Sequence, residues 1–356
     1  MTMMTSSGLD VFGGVDTHGR THHAAAIDGA GRLLGDAEFT ATAAGYRGLL
    51  SWLSAFGRLV KVGVEGTGTY GAGLARHLAT ERVEVIEVDR PDRKTRRRQG
   101  KSDPIDAIAA ARAVLAGTAT GAPKTRTGPV EAIRALRVAR RGAVKARTAA
   151  LNQLHGLRVS APEALRAELT GLTSTALVAR CAGFRIDPAR LLEPVMATKA
   201  ALRAIARRVQ ALEEEIAVAD ARLRPATAAV APRTAALFGA GPDVAGQLLV
   251  TAGDNPERLR SEAALAHLTG ISPLPASSGR TDRHRLNRGG DRAANAAIHR
   301  IVLCRMRYHA PTRAYVARRT AQGLSKKEIM RCLKRYVVRE VHTALLADFE
   351  QLATAA

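Results

Sequence analysis

The sequence predicts an α/β N-terminal domain, a helical middle and a mainly α C-terminal part, and three observations carry that reading. Short apolar runs alternate with helical stretches over residues 10–90. Two long, nearly turn-free segments rich in Arg, Ala and Leu follow at 130–158 and 202–223. Beyond Pro225, helical patterns recur between glycine-containing loops. The boundaries drawn from these changes are 1–125, 126–225 and 226–356.

Val11 to Asp16, His22 to Asp28 and Leu33 to Phe39 read as strands, with Asp28-Gly29 supplying the turn between the last two. Ala43 to Phe56 has helical spacing, Leu59 to Glu65 is again a strand, Thr69 to Thr80 a helix and Val83 to Val88 a strand. Hairpin-like strands followed by strand–helix alternation indicate a mixed sheet. A polar basic stretch leads to a helix over Lys101 to Leu115. Leu202, Ile205, Val209, Leu212, Ile216, Ala219 and Leu223 repeat at spacings of three and four, a coiled-coil-like seam that reads either as an antiparallel hairpin of the two long helices or as a plain helical-bundle core. Leu237 to Pro242 reads as a helix–turn–helix loop whose glycines would let backbone amides approach phosphate. Ser261 to Leu268 is a short helix, Arg292 to Tyr308 a longer one, and Ser325 with Glu328 forms a capping box for a last helix reaching Phe349.

The formal net charge of +22 in 356 residues calls for a polyanionic partner, and nucleic acid is the usual one. No stretch approaches the ~18 uninterrupted apolar residues of a membrane span, and the N-terminus has no signal-peptide pattern. Cys181, Cys304 and Cys332 are scattered, which suits a reducing cytoplasm and argues against structural zinc. With aromatics at 3%, contacts should lean on phosphates and groove edges rather than base stacking.

Four acids stand out. Asp16 and Glu65 end apolar strands, and Asp103 and Asp106 lie three apart at a helix start, so both project from one face. Phosphoryl transfer with metal ions needs several carboxylates converging on hard cations. The ordinary alternative makes Asp103, before Pro104, an N-cap and Asp106 a favoured third-position acid. The Arg96-Arg97-Arg98 run and the cluster from Lys326 to Arg335 suit a nucleic-acid backbone. His22 and His23, adjacent on a strand, point to opposite faces and cannot share an ion. Asn295 and His299 share a helical face that either touches phosphate or is simply structural.

The segments VDTHGR around Asp16, VEGTGTYGAGLARHL around Glu65 and GKSDPIDAIAAARAVL around Asp103 and Asp106 resemble the DEDD-type insertion-sequence transposases. Residues 270–309 resemble that family's C-terminal domain, in which a serine before glycine is the nucleophile. The resemblance implies an RNase H-like, Holliday-junction-resolvase-like N-terminal domain and a mainly α C-terminal DNA-binding domain. It implies that Asp16, Glu65, Asp103 and Asp106 bind Mg²⁺ and that Ser278 attacks DNA. Ser277 is also available, but Ser278 adjoins Gly279, whose missing side chain lets a phosphate come close. Arg280, Arg283, Arg285, Arg288 and Arg292 follow and would clamp that phosphate. The resemblance alone implies a noncoding guide RNA pairing with donor and target DNA, and a homo-oligomer, dimer or tetramer. The expected setting is the bacterial cytoplasm, at the nucleoid. A metal-only nuclease or resolvase, with Ser278 a turn residue, and a non-catalytic nucleic-acid-binding protein remain the alternatives.

Overall fold

The computed structural model describes residues 8–88, 102–277, 279, 284, 285, 287 and 289–355. They form two compact units, Met1–Gly128 with Gly253–Arg258, and Pro129–Ala252 with Leu259–Ala356.

The first unit is α/β, as expected. Strands β1 (Asp10–Thr17), β2 (Thr21–Asp28) and β3 (Leu33–Thr40) form an antiparallel meander, joined by β4 (Arg58–Glu65) and β5 (Glu84–Val88). The order is β3-β2-β1-β4-β5, with β4 parallel to both β1 and β5. Helices α1 (Ala43–Ser54) and α2 (Ala72–Thr80) make the two crossovers and α3 (Asp103–Leu115) follows β5.

Period-two alternation sorts the strand side chains into two layers. Val11, Val15, Val62 and Val64 pack with Leu49 and Leu53 of α1 and Leu74 and Leu78 of α2. The intervening residues meet α3. A Cβ on Gly14 would lie 2.1 Å from the Ala107 carbonyl oxygen and 2.2 Å from the Ala111 nitrogen. One on Gly63 would lie 2.6 Å from Val114 Cγ2 and 2.9 Å from the Ala110 carbonyl oxygen. Gly14 and Gly63 are register partners on β1 and β4, so α3 lies almost directly on the backbone of both strands. Counting on by two places Asp16 and Glu65 on that same α3-facing side.

The second unit is helical. Helices α4 (Pro129–Val159) and α7 (Pro194–Val230) form the expected hairpin. Arg140 pairs with Asp220 and Arg147 with Glu213, so the partner number falls as the first rises and the pair is antiparallel. Every residue of the 202–223 seam is buried or half-buried. The helix does not stop at Pro225 but runs on to Val230. Thr227 and Val230 are buried beyond it, and that packing outweighs the lost backbone donor. Helices α5 (Glu163–Leu169) and α6 (Ser174–Ala182) cap the far end around Leu165, Leu169, Leu177 and Cys181.

The C-terminal helices are α8 (Pro232–Ala236), α9 (Gly241–Ala252), α10 (Glu262–Leu268), α11 (Arg292–Tyr308), α12 (Ala310–Ala321) and α13 (Lys326–Ala355). They share a core of Leu248, Leu249, Leu265, Ile298, Ile301, Val338, Val341 and Leu345. The expected Ser325–Glu328 capping box is formed, with the Ser325 N–H donating to Glu328 Oε2 at 2.8 Å. Gly239 does not open its loop to a ligand. A Cβ there would meet Cys304 Cβ at 3.1 Å, and the Phe238 carbonyl accepts from Arg305 Nε at 2.9 Å, so this turn is used for packing on α11. Two short strands, β6 (Leu274–Pro275) and β7 (His284–Arg285), pair antiparallel on either side of the serine-bearing loop.

The approach of α3 to the sheet has a direct test. Gly14→Ala should cost about 1–3 kcal/mol or more, because the helix backbone must move to admit one methyl group. Gly29→Ala, where an added Cβ meets nothing within 4 Å, should leave the urea midpoint nearly unchanged. Equal midpoints for the two variants would show that α3 does not lie this close.

Candidate metal centre

Asp16 occupies the penultimate position of β1, turned to the α3 side and only 6% exposed. Two residues on, at the start of the β1–β2 turn, is His18, whose Nε2 lies 3.2 Å from Asp16 Oδ2 and 3.2 Å from Asp103 Oδ1. Asp103 opens α3. The helix is capped not by Asp103 but by Ser102, whose backbone is extended and whose side chain makes no cap bond. Pro104 therefore falls one position further in, and Asp103 is left to face His18. Asp106, one turn along, is 5% exposed.

The carboxyl and imidazole donors of Asp16, His18 and Asp103 all lie within 4.8 Å of one another. Glu65 and Asp106 are not members of that trio. Glu65 is buried at the end of β4, where its carbonyl accepts from the Thr17 hydroxyl at 2.8 Å and ties the ends of β1 and β4 together. Burial pushes the Asp16 carboxyl above its ordinary range, and Asp106 and Asp103 act in the same direction. His18 and the Thr17 backbone N–H oppose that rise.

The donors fit a divalent cation. His18 Nε2 is shut off from solvent and has no partner of hydrogen-bonding geometry, although it stands between two carboxylates. Neighbouring ligands of an octahedral ion with bonds of about 2.1 Å lie about 3.0 Å apart, close to both observed spacings. No Lys or Arg among the described residues pairs with Asp16 or Asp103, although the chain carries 54 such residues. His18 went unnoticed in the sequence. The signal that could have found it is its place two residues after Asp16, where the strand gives way to the turn.

Arg285 is exposed in β7 and Arg292 is the exposed first residue of α11. Ser278, Arg280, Arg283 and Arg288, with Arg96, Arg97 and Arg98, lie outside the described residues. Ser277 is exposed. His22 and His23 part company as expected. His22 stacks on Tyr46 of α1 at 5.6 Å, while His23 bonds Asp36 at 2.7 Å.

A family model described as a DEDD transposase of the IS110 type matches residues 13–158, and one described as the transposase IS116/IS110/IS902 family matches residues 232–317. Together they span more than half of the chain, in the order expected. The chain belongs to the DEDD-type insertion-sequence transposases. None of the curated proteins matches it. A transposase cuts and rejoins DNA, so DNA is its substrate, and the DEDD type implies use of a divalent metal at an acidic cluster such as this one. No helix among the described residues of the transposase is long and apolar enough to cross a membrane.

The raised Asp16 carboxyl predicts a stability signature. Its protonated form is the one the metal-free fold favours, so its contribution is full below the ordinary aspartate value of 3.8 and is lost as pH rises through the raised value. Asp16→Asn should therefore melt above the wild-type transposase in chelator at neutral pH and lose that advantage in acid. Adding a divalent metal should stabilise wild type, by about 2.7 kcal/mol at a hundred times Kd, and the variant far less. An equal metal-induced shift in both would remove Asp16 from the metal centre.

Proposed function

We propose that this transposase recombines DNA with Mg²⁺ held by Asp16, Glu65, Asp103 and Asp106 and with Ser278 as nucleophile. The observation that carries the metal half is the meeting of Asp16, His18 and Asp103 at one point, with no Lys or Arg paired to either aspartate among the described residues. We read the first unit as RNase H-like. Support comes from a sheet of three antiparallel and two parallel strands whose acids gather at the carboxyl ends of β1 and β4. The chain leaves those two ends towards opposite sides of the sheet, the kind of crevice where α/β sheets bind ligands. The domain limits that go with this reading are 1–125, 126–225 and 226–356.

Bound at the cluster, Mg²⁺ would supply positive charge to polarise a phosphoryl oxygen and lower the pKa of an attacking or leaving hydroxyl. The residues do the rest. Asp16 and Asp103 offer one oxygen each, with His18 at their side. Glu65 and Asp106 share the same side of the sheet and complete the acidic set. At the serine loop, the Ser278 oxygen attacks phosphorus and loses its proton. A serine–phosphate ester forms as the DNA P–O bond breaks, and the leaving DNA oxygen takes up a proton. A DNA hydroxyl later reverses the exchange, so phosphodiester energy is conserved for rejoining. Arg285 and Arg292, flanking the loop, would offset charge on the pentavalent phosphorus.

The family resemblance alone supports a noncoding guide RNA beside donor and target DNA. A homo-oligomer is supported by apolar side chains left exposed on the hairpin, Val138 at 46% and Val218 at 50%, with Leu192 fully exposed just before α7. The site of action would be the bacterial cytoplasm, at the nucleoid.

An excision assay in cells tests the chemistry. The transposase would be expressed beside its native flanking DNA and the circular junction amplified. Junctions should form with wild type and Ser277→Ala and fall at least about 100-fold with Asp16→Ala and Ser278→Ala. Junctions from Ser278→Ala at the wild-type level would leave a metal-only mechanism. Salt-sensitive DNA binding without junctions from the wild type would leave a binding protein.

A further inference from the structure

The C-terminal helices enclose a cavity of about 580 Å³ behind the loop that starts at Gly270, within the size range of small-molecule sites. Among the described residues its wall carries Arg285, Arg331, Lys334 and Arg335 against one acid, Glu328. A second hollow of about 570 Å³ adjoins it, and Asn287, Asn295 and Lys334 belong to both walls. Lys334 thus sits in the partition between the two hollows.

The acids of this region are already engaged. Glu328 Oε2 accepts from the Ser325 N–H and hydroxyl at 2.8 and 2.6 Å, as the cap of α13. Asp291 caps α11 by accepting from Ala293 and Ala294, and its other oxygen accepts from the Thr251 hydroxyl at 2.6 Å. Glu262 holds Arg335 at 2.8 Å and Arg339 at 3.5 Å. The cations are not matched. Among the described residues Lys334 Nζ donates at 2.7 Å only to the neutral Asn295 Oδ1, which is oriented by the Asn295 amide donating to the Thr269 carbonyl at 2.9 Å. Arg331 makes no ion pair within 4 Å among the described residues, although its charge acts on the Glu328 carboxyl, and Arg335 Nη1 is buried without a hydrogen-bond partner. Burial holds the Lys334 ammonium below its ordinary range and depresses His299 beside it. A half-buried ammonium with no carboxylate partner is costly unless an anion completes it.

We propose that this cavity is a phosphodiester-binding site in which Lys334 and Arg331 grip a backbone phosphate of the DNA strand beside the serine loop. The inference rests on the reading that this loop meets DNA. It adds a positioning role, since neither residue need touch the reacting atoms. RNA carries the same phosphodiester chemistry, but the walls begin and end at the loop assigned to DNA.

Lys334 is one of only nine lysines in the chain, so its exposure can be followed directly by amine acylation and peptide mass spectrometry. The full-length transposase would be labelled in chelator, which keeps the acidic cluster free of metal, with increasing thymidine trinucleotide or, separately, uridine trinucleotide. The thymidine probe should protect Lys334 at concentrations that leave Lys145, exposed on α4, fully reactive. Arg331→Ala, at an exposed position, should raise the half-protecting concentration about tenfold, the worth of one charge-assisted bond. Asp16→Asn should not shift it. Unchanged Lys334 labelling, or protection only in step with Lys145, would overturn the site, and protection by the uridine probe alone would overturn its assignment to DNA. The result is separable from the serine chemistry. Loss of junctions in Ser278→Ala with no protection of Lys334 sinks the cavity alone, and protection with an active Ser278→Ala sinks the serine alone.

Discussion

Helix α3 can rest on β1 and β4 only because Gly14 and Gly63 present bare backbone at the crossing. That close packing governs the metal centre. A helix standing off by an ordinary side chain would carry Asp103 away from the end of β1, beyond the reach of His18 Nε2. Small residues continue the contact on the helix side, where Ala107, Ala110 and Ala111 are all buried. The same closeness explains the electrostatics. Bringing Asp103 and Asp106 to a buried Asp16 concentrates negative charge in a place water reaches poorly, and the Asp16 carboxyl rises in consequence. The fold thus stores an electrostatic cost at the place where a cation would relieve it.

Most of the first unit was legible because its signals are local. Alternation over Val11 to Asp16 and Leu59 to Glu65 fixes both the strands and the faces of their terminal acids, and the register of two parallel strands then brings those acids to one side. The helical seam from Leu202 to Leu223 was legible for the same reason. Features that depend on distant packing were not. Nothing local in α7 reveals that it passes Pro225, since the compensation comes from Thr227 and Val230 burying against other helices. Asp103 reads as a cap because Pro104 follows it, yet Ser102 takes the extended backbone of the cap and frees the aspartate for His18.

The cavity around Lys334 shows the limit more sharply. Its wall draws on residues as far apart as Gly270, Arg285, Asn295 and Arg335. In the sequence the run from Lys326 to Arg335 looks like a uniform basic face. In the structure its members separate by partner. Arg335 is held by Glu262, whereas Lys334 turns inward to an asparagine. Asn295, which the helical pattern leaves undecided between a phosphate contact and a structural role, serves as the neutral acceptor that positions this lysine.

Charge partition connects these sites. With 54 basic and 32 acidic residues, most carboxylates would be expected to find an arginine or lysine, and many do, as in the Asp243 cluster with Arg137, Arg140 and Arg300. There burial alone would raise the Asp243 carboxyl, yet the three guanidinium groups outweigh it and hold the carboxyl down. Asp16 has the opposite balance. Among the described residues it is buried without a Lys or Arg partner, beside two further acids, in a chain with 54 basic residues. Lys334 is its mirror image, an ammonium without a carboxylate partner among the described residues, where the nearby acids are held in helix caps or by arginines. Unmatched buried charge of either sign lowers the stability of the free chain, and its retention at these two places is intelligible if each is completed from outside, one by a metal cation and the other by the phosphate of a nucleic acid.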